Sequence, residues 1–403
     1  MVRNISRKAL VLLALLALVA LPAMAQDGDL IVVEAGDPVE LGVAAVISGE
    51  GLAPLGEDIV RGVELALLAR PTVTIGDVEF EVAIDVQDDL CSPEGGQAIA
   101  NYYVSNPQII GTVGPTCSGA CRAAGPVFDQ AGYIMISASC TNPALAADFT
   151  SFNRVTPNDD QQGVEVAIFI YDYLGVTSIA TIHDGSPYGE GLVTNVIAAF
   201  EELGGEVVAS DAVTVGDTDF RSTLDAIAAG EPELIFFGGF TAEAARLAEQ
   251  RADAGLGEVA FMTADGAFTP ELMNLGGEAV EGVYVSTPAP AASEALAEFI
   301  ALYEETYGLP PTGSYHSYAY DATNIYLDAL EAVGTVNADG ALEVSRAALA
   351  EFVAAFGAEE PVTGLSGILS CNGDGECAQG GIGFFQVQDG EFVRLETMAE
   401  AME

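Results

Sequence analysis

Cys117, Ser118 and Cys121 stand together in TCSGAC, residues 116–121, and three kinds of chemistry use such residues at such spacing. Two cysteines could form a redox pair or half of a metal site, and a serine on a sharp turn could be a nucleophile. A metal site needs more ligands than these. His183 and His316 are the only histidines, and neither is near the cysteines in sequence, so no metal is expected. A nucleophile elbow of the G-x-S-x-G kind is absent, since Ser118 lies in T-C-S-G-A. A Ser-His-Asp triad would have to draw on His183 or His316, and His183, directly before Asp184 at a strand end, reads as a hydrogen-bonded structural residue. SGEGLAPLG (48–56) follows a strand but has neither the G-x-G-x-x-G spacing nor a Walker lysine. CNGDGEC (371–377) alternates Asn372, Asp374 and Glu376, yet five residues between two cysteines are too few for the usual calcium loop, and a disulfide-closed turn is expected. The expectation is therefore no catalytic residue, no enzyme and no cofactor.

The elements that carry these residues follow a repeated grammar. LGVAAVI (41–47) reads as a buried strand and GEDIVRGVELALLAR (56–70) as an amphipathic helix. Strand, helix, strand, helix, strand then follow in FEVAIDVQDD, EGGQAIANYYVS, QIIGTVG, GACRAAGPVFDQAG and YIMISAS. After a helix in DQQGVEVAIFIYDYLG the pattern resumes with strands SIATIHD, EVVASDAV, ELIFFGG and VAFMTAD, separated by helical segments. Apolar, β-branched strands alternating with helices imply parallel sheets covered on both faces, and two such blocks imply two doubly wound, Rossmann-like α/β lobes.

In open α/β sheets, ligands sit beyond the carboxyl ends of the strands. Those positions carry Thr116-Cys117-Ser118, Ser139-Cys140-Thr141, Gly185 to Tyr188, Phe240-Thr241 and Asp265. Ser118 and Thr141 each open a segment that reads as a helix start, where hydroxyls, free N–H groups and the helix dipole attract an anion without lysine or arginine. Asp265, at another strand end, supplies a counter-charge for an ammonium. Together they describe a clamp for an amino acid.

The ends and the charge of the chain bear on location. Arg3, Arg7 and Lys8 precede an apolar run that ends in Ala23-Met24-Ala25, the pattern of a secretory signal peptide over residues 1–25, so a periplasmic or otherwise extracytoplasmic protein is expected. No later stretch is long and apolar enough to insert the mature chain in a membrane. The net charge is −48, and the leader contributes three cations and no acid, so the remainder is near −51. Scattered acids of this density repel nucleic acid and anionic lipid and favour solubility. Six cysteines in an exported chain favour pairing, with fifteen connectivities open.

At this point the sequence resembles the periplasmic solute-binding proteins of branched-chain amino-acid ABC transporters, the leucine/isoleucine/valine-binding type. The resemblance is carried by VISGEGLAPLGEDIVRGVELAL, QDDLCSPEGGQAIANYYVS, MISASCTNPAL, IHDGSPYGEGL, FFGGFTAEAARLAEQ and FMTADGAFTPELMNLGGEAVEGVYV, in the family's order over most of 41–286. It implies a type I periplasmic binding fold, with one lobe over 38–157 and 287–368, the other over 158–286 and 369–397, and a hinge between them. The implied function is to bind an amino acid, branched-chain or aliphatic, between closing lobes and deliver it to permease subunits, the protein acting as a monomer. A soluble sensor that presents the ligand to a receptor is the alternative. The implied ligand set is Ser118, Ser139, Cys140 through its backbone, and Thr141 for the carboxylate, Asp265 where the family has a glutamate for the ammonium, and Leu55, Tyr188 and Phe240 for the side chain. A disulfide between Cys91 and Cys117 is also implied, which leaves Cys121 with Cys140 and Cys371 with Cys377.

Overall fold

A computed structural model describes residues 29–395. The expected leader lies outside them, as does the very end of the 369–397 segment. Two sheets dominate. The first runs, edge to edge, Thr72–Ile75, Val78–Asp88, Val39–Ala45, Ile109–Val113, Met135–Ser137 and Phe152–Arg154. The second runs Glu391–Arg394, Gly381–Gln388, Tyr284–Ala289, Ala260–Thr263, Leu234–Gly238, Ser178–His183 and Glu206–Ala212. The central strands are parallel in both. Val39, Leu41, Val43, Leu234, Ile235, Phe236 and Phe237 are fully buried, as strands with helices on both faces must be.

The parallel pairing expected of the sheets gives way to antiparallel pairing at some edges. Thr72–Ile75 pairs antiparallel with Val78–Asp88 through a two-residue turn at Gly76-Asp77, and the last two strands of the chain pair antiparallel beside Tyr284–Ala289. Edge strands need only one partner, so a tight hairpin can supply them without a crossover helix. The first long helix starts earlier than its periodicity suggested, at Ala53, with Pro54 in the first turn where a missing N–H costs nothing.

The chain passes between the sheets three times: after Arg154, after Ala289, and between the short Ile368–Leu369 strand and Gly381. Helix His316–Val333 packs along Ala53–Ala69 in the first lobe, so a segment in the last quarter of the chain returns to where it began. Among the described residues no helix is long and apolar enough to cross a membrane.

Candidate functional site

The TCSGAC loop, residues 116–121, is held from both sides. Cys91 is bonded to Cys117, Cys121 to Cys140, and Cys371 to Cys377. Ser118 therefore sits between two bridges that anchor the Ile109–Val113 strand end to its neighbours. Buried Asp89 adds a third tie, accepting from the N–H groups of Thr116 (2.6 Å) and Cys91 (2.8 Å), and burial pushes its carboxyl up to about 6.

The two expected helix caps are placed differently. Ser118 is the first residue inside helix Ser118–Ala131, with Cys117 at the cap, and its Oγ accepts from Asn142 N–H (3.3 Å). Its helix is long enough to present first-turn N–H groups to the cleft. Thr141 caps nothing: the helix after it is the five-residue Ala144–Asp148, and Asn142 Oδ1 takes the Ala144 N–H. Pro143 blocks an earlier start, because a residue before proline is pushed out of helical conformation. Freed from capping, the Thr141 hydroxyl is fully buried and has no partner.

Leu55, Ser118, Ser139, Tyr188, Phe240 and Asp265, from both lobes, line one cavity of about 20 Å³, together with Thr116, Cys117, Gly266 and Tyr315. A space of that size holds about one water, so admitting an amino acid requires the lobes to part. Cys140 lies behind this wall. Its N–H already donates to Ser137 Oγ (2.9 Å) and its carbonyl accepts from Arg154 (2.8 Å), so its backbone is committed within the protein. Ser139 Oγ donates to the Thr116 carbonyl (2.7 Å) across the cavity's floor.

Asp265 is the electrostatic centre. Its Oδ1 accepts from Tyr188 OH (2.8 Å) and Gln162 Nε2 (2.8 Å), and its Oδ2 from Tyr315 OH (2.6 Å). Burial raises its carboxyl above the ordinary range, opposed by these three donors, Tyr315 foremost. Tyr315 and Asp265 belong to opposite lobes, so this bond spans the cleft. Gly266 lets the rings approach: a Cβ there would lie 2.6 Å from the Gly239 carbonyl and 2.8 Å from the Tyr188 ring, which only glycine avoids. Tyr188 and Phe240 have ring centroids 5.4 Å apart and form the apolar wall opposite Leu55. Asn142 Nδ2 also reaches across to the Pro187 carbonyl (2.7 Å), and Arg246 to Glu50 (2.9 Å).

Residue-by-residue reading missed Tyr315, Gln162 and Arg154. Tyr315 stands just before helix His316–Val333, on a segment with no strand-end signal; only the aromatic run SYHSYAY marked it. Arg154 is fully buried, pairs with both oxygens of Glu376, and donates to the carbonyls of Cys140, Asn142 and Pro143, fixing the path of that loop. The CNGDGEC turn thus delivers Glu376 to Arg154. His316 Nδ1 lies 3.0 Å from Asp58, outside the cavity wall; burial raises the Asp58 carboxyl, and the charge and hydrogen bonds of His316 outweigh that and hold it low.

Known proteins with related sequences and folds bear on this geometry. The sequence profile of the family described as "Periplasmic binding protein" matches residues 38–390. "Leu/Ile/Val-binding protein homolog 1" of Brucella abortus (strain 2308) is 31% identical over 301 residues, 74% of this chain and 79% of that one. A leucine binding protein from Thermotoga maritima MSB8 superposes with a TM-score of 0.79 at 26% identity, covering 89% of this chain and 97% of that one. A solute binding protein of an ABC transporter from R. palustris, solved in complex with benzoate, shares the fold alone, with a TM-score of 0.75 at 19% identity and coverage of 89% and 95%.

Proposed function

The chain belongs to the periplasmic binding protein family, a family of binding proteins and not of enzymes, and on that footing we propose that it captures an amino acid between its lobes and delivers it, outside the cytoplasm, to an ABC-transporter permease. The first lobe is taken as 38–157 and 287–368 and the second as 158–286 and 369–397, except that strand Tyr284–Ala289 stays whole in the second lobe's sheet and moves that boundary to Ala289, and the protein works as a monomer. The ligand carboxylate docks on Ser118, Ser139 and Thr141 and the first-turn N–H groups of helix Ser118–Ala131. The ammonium meets Asp265. Leu55, Tyr188 and Phe240 enclose an aliphatic side chain, which favours leucine, isoleucine or valine, the ligands named for the Brucella relative.

The observation that carries this reading is the convergence of hydroxyls, apolar side chains and a buried acid from two lobes on one cavity. Each charge-assisted hydrogen bond made there contributes on the order of 1.5 to 3 kcal/mol. Titration calorimetry with L-leucine, L-isoleucine and L-valine is expected to show binding by at least one. Asp265→Ala is expected to weaken it by more than about tenfold; an unchanged affinity would remove Asp265 from the ammonium site.

A further inference from the structure

The helix that carries Leu55 to the cavity also buries an acid, and the partners of that acid lie on the segment that carries Tyr315. Every other buried position of helix Ala53–Ala69 is apolar or glycine, yet Asp58, one turn from Leu55, is fully buried. A carboxylate taken out of water needs donors on its oxygens. Asp58 finds them at the start of helix His316–Val333. Its Oδ2 accepts from the backbone N–H groups of Tyr315 (2.8 Å) and His316 (2.8 Å), and His316 Nδ1 lies 3.0 Å from the same oxygen. Its Oδ1 accepts from Tyr303 OH (3.3 Å), whose oxygen in turn accepts from Arg61 (3.2 Å). Tyr315, in the cap position of helix His316–Val333, makes no side-chain cap bond, so Asp58 caps that helix from its neighbour. Gly62 permits the approach, since a Cβ there would lie 2.2 Å from the His316 carbonyl.

The segment so held is the one that reaches across the cleft. Tyr315 OH donates to Asp265, and Ser314 Oγ is bonded to Thr287 Oγ1 in the second lobe's sheet. Residues 314 and 315 thus meet the second lobe through their side chains, while the backbone of 315 and 316 is fixed to the first lobe through one carboxylate. The Tyr315 hydroxyl stands at the far end of a rigid ring, so where it arrives follows from where its backbone is held. The His316 ring packs the other side of the anchor, stacked on Phe299 with centroids 5.8 Å apart.

We infer that Asp58 is a positioning residue for ligand capture: it anchors the 314–316 segment to the first lobe so that Tyr315 meets Asp265 as the lobes close, and the residence time of the bound amino acid depends on it. This rests on the amino-acid reading above. Asp58 touches neither the ligand nor Asp265, and it acts through the backbone of Tyr315. Without it, two buried N–H groups lose their acceptor, the uncapped first turn loosens, and the cross-lobe bond loses its fixed geometry.

The test uses the full chain, calorimetry and stopped-flow displacement, with whichever of L-leucine, L-isoleucine and L-valine the unaltered protein binds most tightly. Asp58→Ala is expected to weaken binding by about three- to tenfold, with the change in the dissociation rate. Added to Tyr315→Phe, the same substitution is expected to cost less than about twofold, because the hydroxyl it positions is already gone. Asp58→Asn keeps an oxygen for the two N–H groups and is expected to recover most of the loss. Unchanged binding in Asp58→Ala, equal losses with and without the Tyr315 hydroxyl, or an Asp58→Asn variant as weak as Asp58→Ala each overturn this inference and leave the proposed function standing. Silence of the unaltered protein towards all three amino acids overturns both. Should Asp58→Ala fail to fold, hydrogen exchange on the unaltered protein decides. Slow exchange of the Tyr315 and His316 amides both with and without ligand supports a preformed anchor, and exchange without ligand as fast as in an exposed loop refutes it.

Discussion

Tyr315 is the donor from the first lobe that reaches Asp265 in the second, so it stabilises closure as well as the acid. Tyr315→Phe is expected to weaken leucine binding by about three- to tenfold, with the change in the dissociation rate, which stopped-flow displacement will resolve. Asp184 tests the cost of a buried charge away from the ligand. Its Oδ1 accepts from Ser186 N–H, its Oδ2 has no partner, and burial pushes its carboxyl up to about 6. A folded pKa raised above the unfolded value means that the folded state holds a proton which the unfolded chain releases. Stability is then fully supported below about pH 4 and is lost as pH rises to about 6, by on the order of 3 kcal/mol from this group. Asp184→Asn is expected to raise the melting temperature at pH 7 and to flatten its dependence between pH 4 and 6. A steeper dependence in the variant would contradict this account.

At the scale of elements, the strand-end loop around Ser118 is built to be still. The Cys121–Cys140 bridge ties helix Ser118–Ala131 to the 138–143 loop, and Arg154 and Glu376 clamp the far side of that loop. Replacing Cys121 and Cys140 together by serine is expected to lower unfolding free energy by on the order of 3 kcal/mol, the chain-entropy value for a loop of about 20 residues. Denaturant titration measures it. Leucine affinity should fall in the same variant, since Ser118 and Thr141 then lose their fixed spacing. Periodicity located most of these elements because a strand buried on both faces and a helix with one apolar stripe leave different patterns. It could not locate the true start of the helix after Thr141, where the decisive fact is Pro143 together with the engagement of the loop carbonyls by Arg154.

For the molecule as a whole, closure depends on few direct contacts between lobes. Besides Tyr315–Asp265 and Asn142–Pro187, the half-exposed Arg246–Glu50 pair crosses the cleft's rim. A surface pair of this kind contributes at most about 1 kcal/mol. Arg246→Ala is therefore expected to change affinity by less than about fivefold, and its effect should fade as salt is raised. The charge of −48 over the whole chain acts in the other direction. Self-repulsion of so many acids destabilises the compact state, so the melting temperature is expected to rise with sodium chloride between low and moderate concentrations.

The sequence by itself determined the fold class, the two-lobed plan and most of the cavity wall, because strand ends in parallel sheets are where ligands bind and the residues there are adjacent in the chain. It also named Asp265 and the serine at position 118. Only the tertiary structure decided that Tyr315 returns from a distant segment to bond Asp265, that Cys140 is already committed, and that Thr141 caps no helix. These depend on which groups meet across the lobes or inside a buried loop, and a residue's chance of finding a partner there is set by three-dimensional burial, which local pattern does not encode.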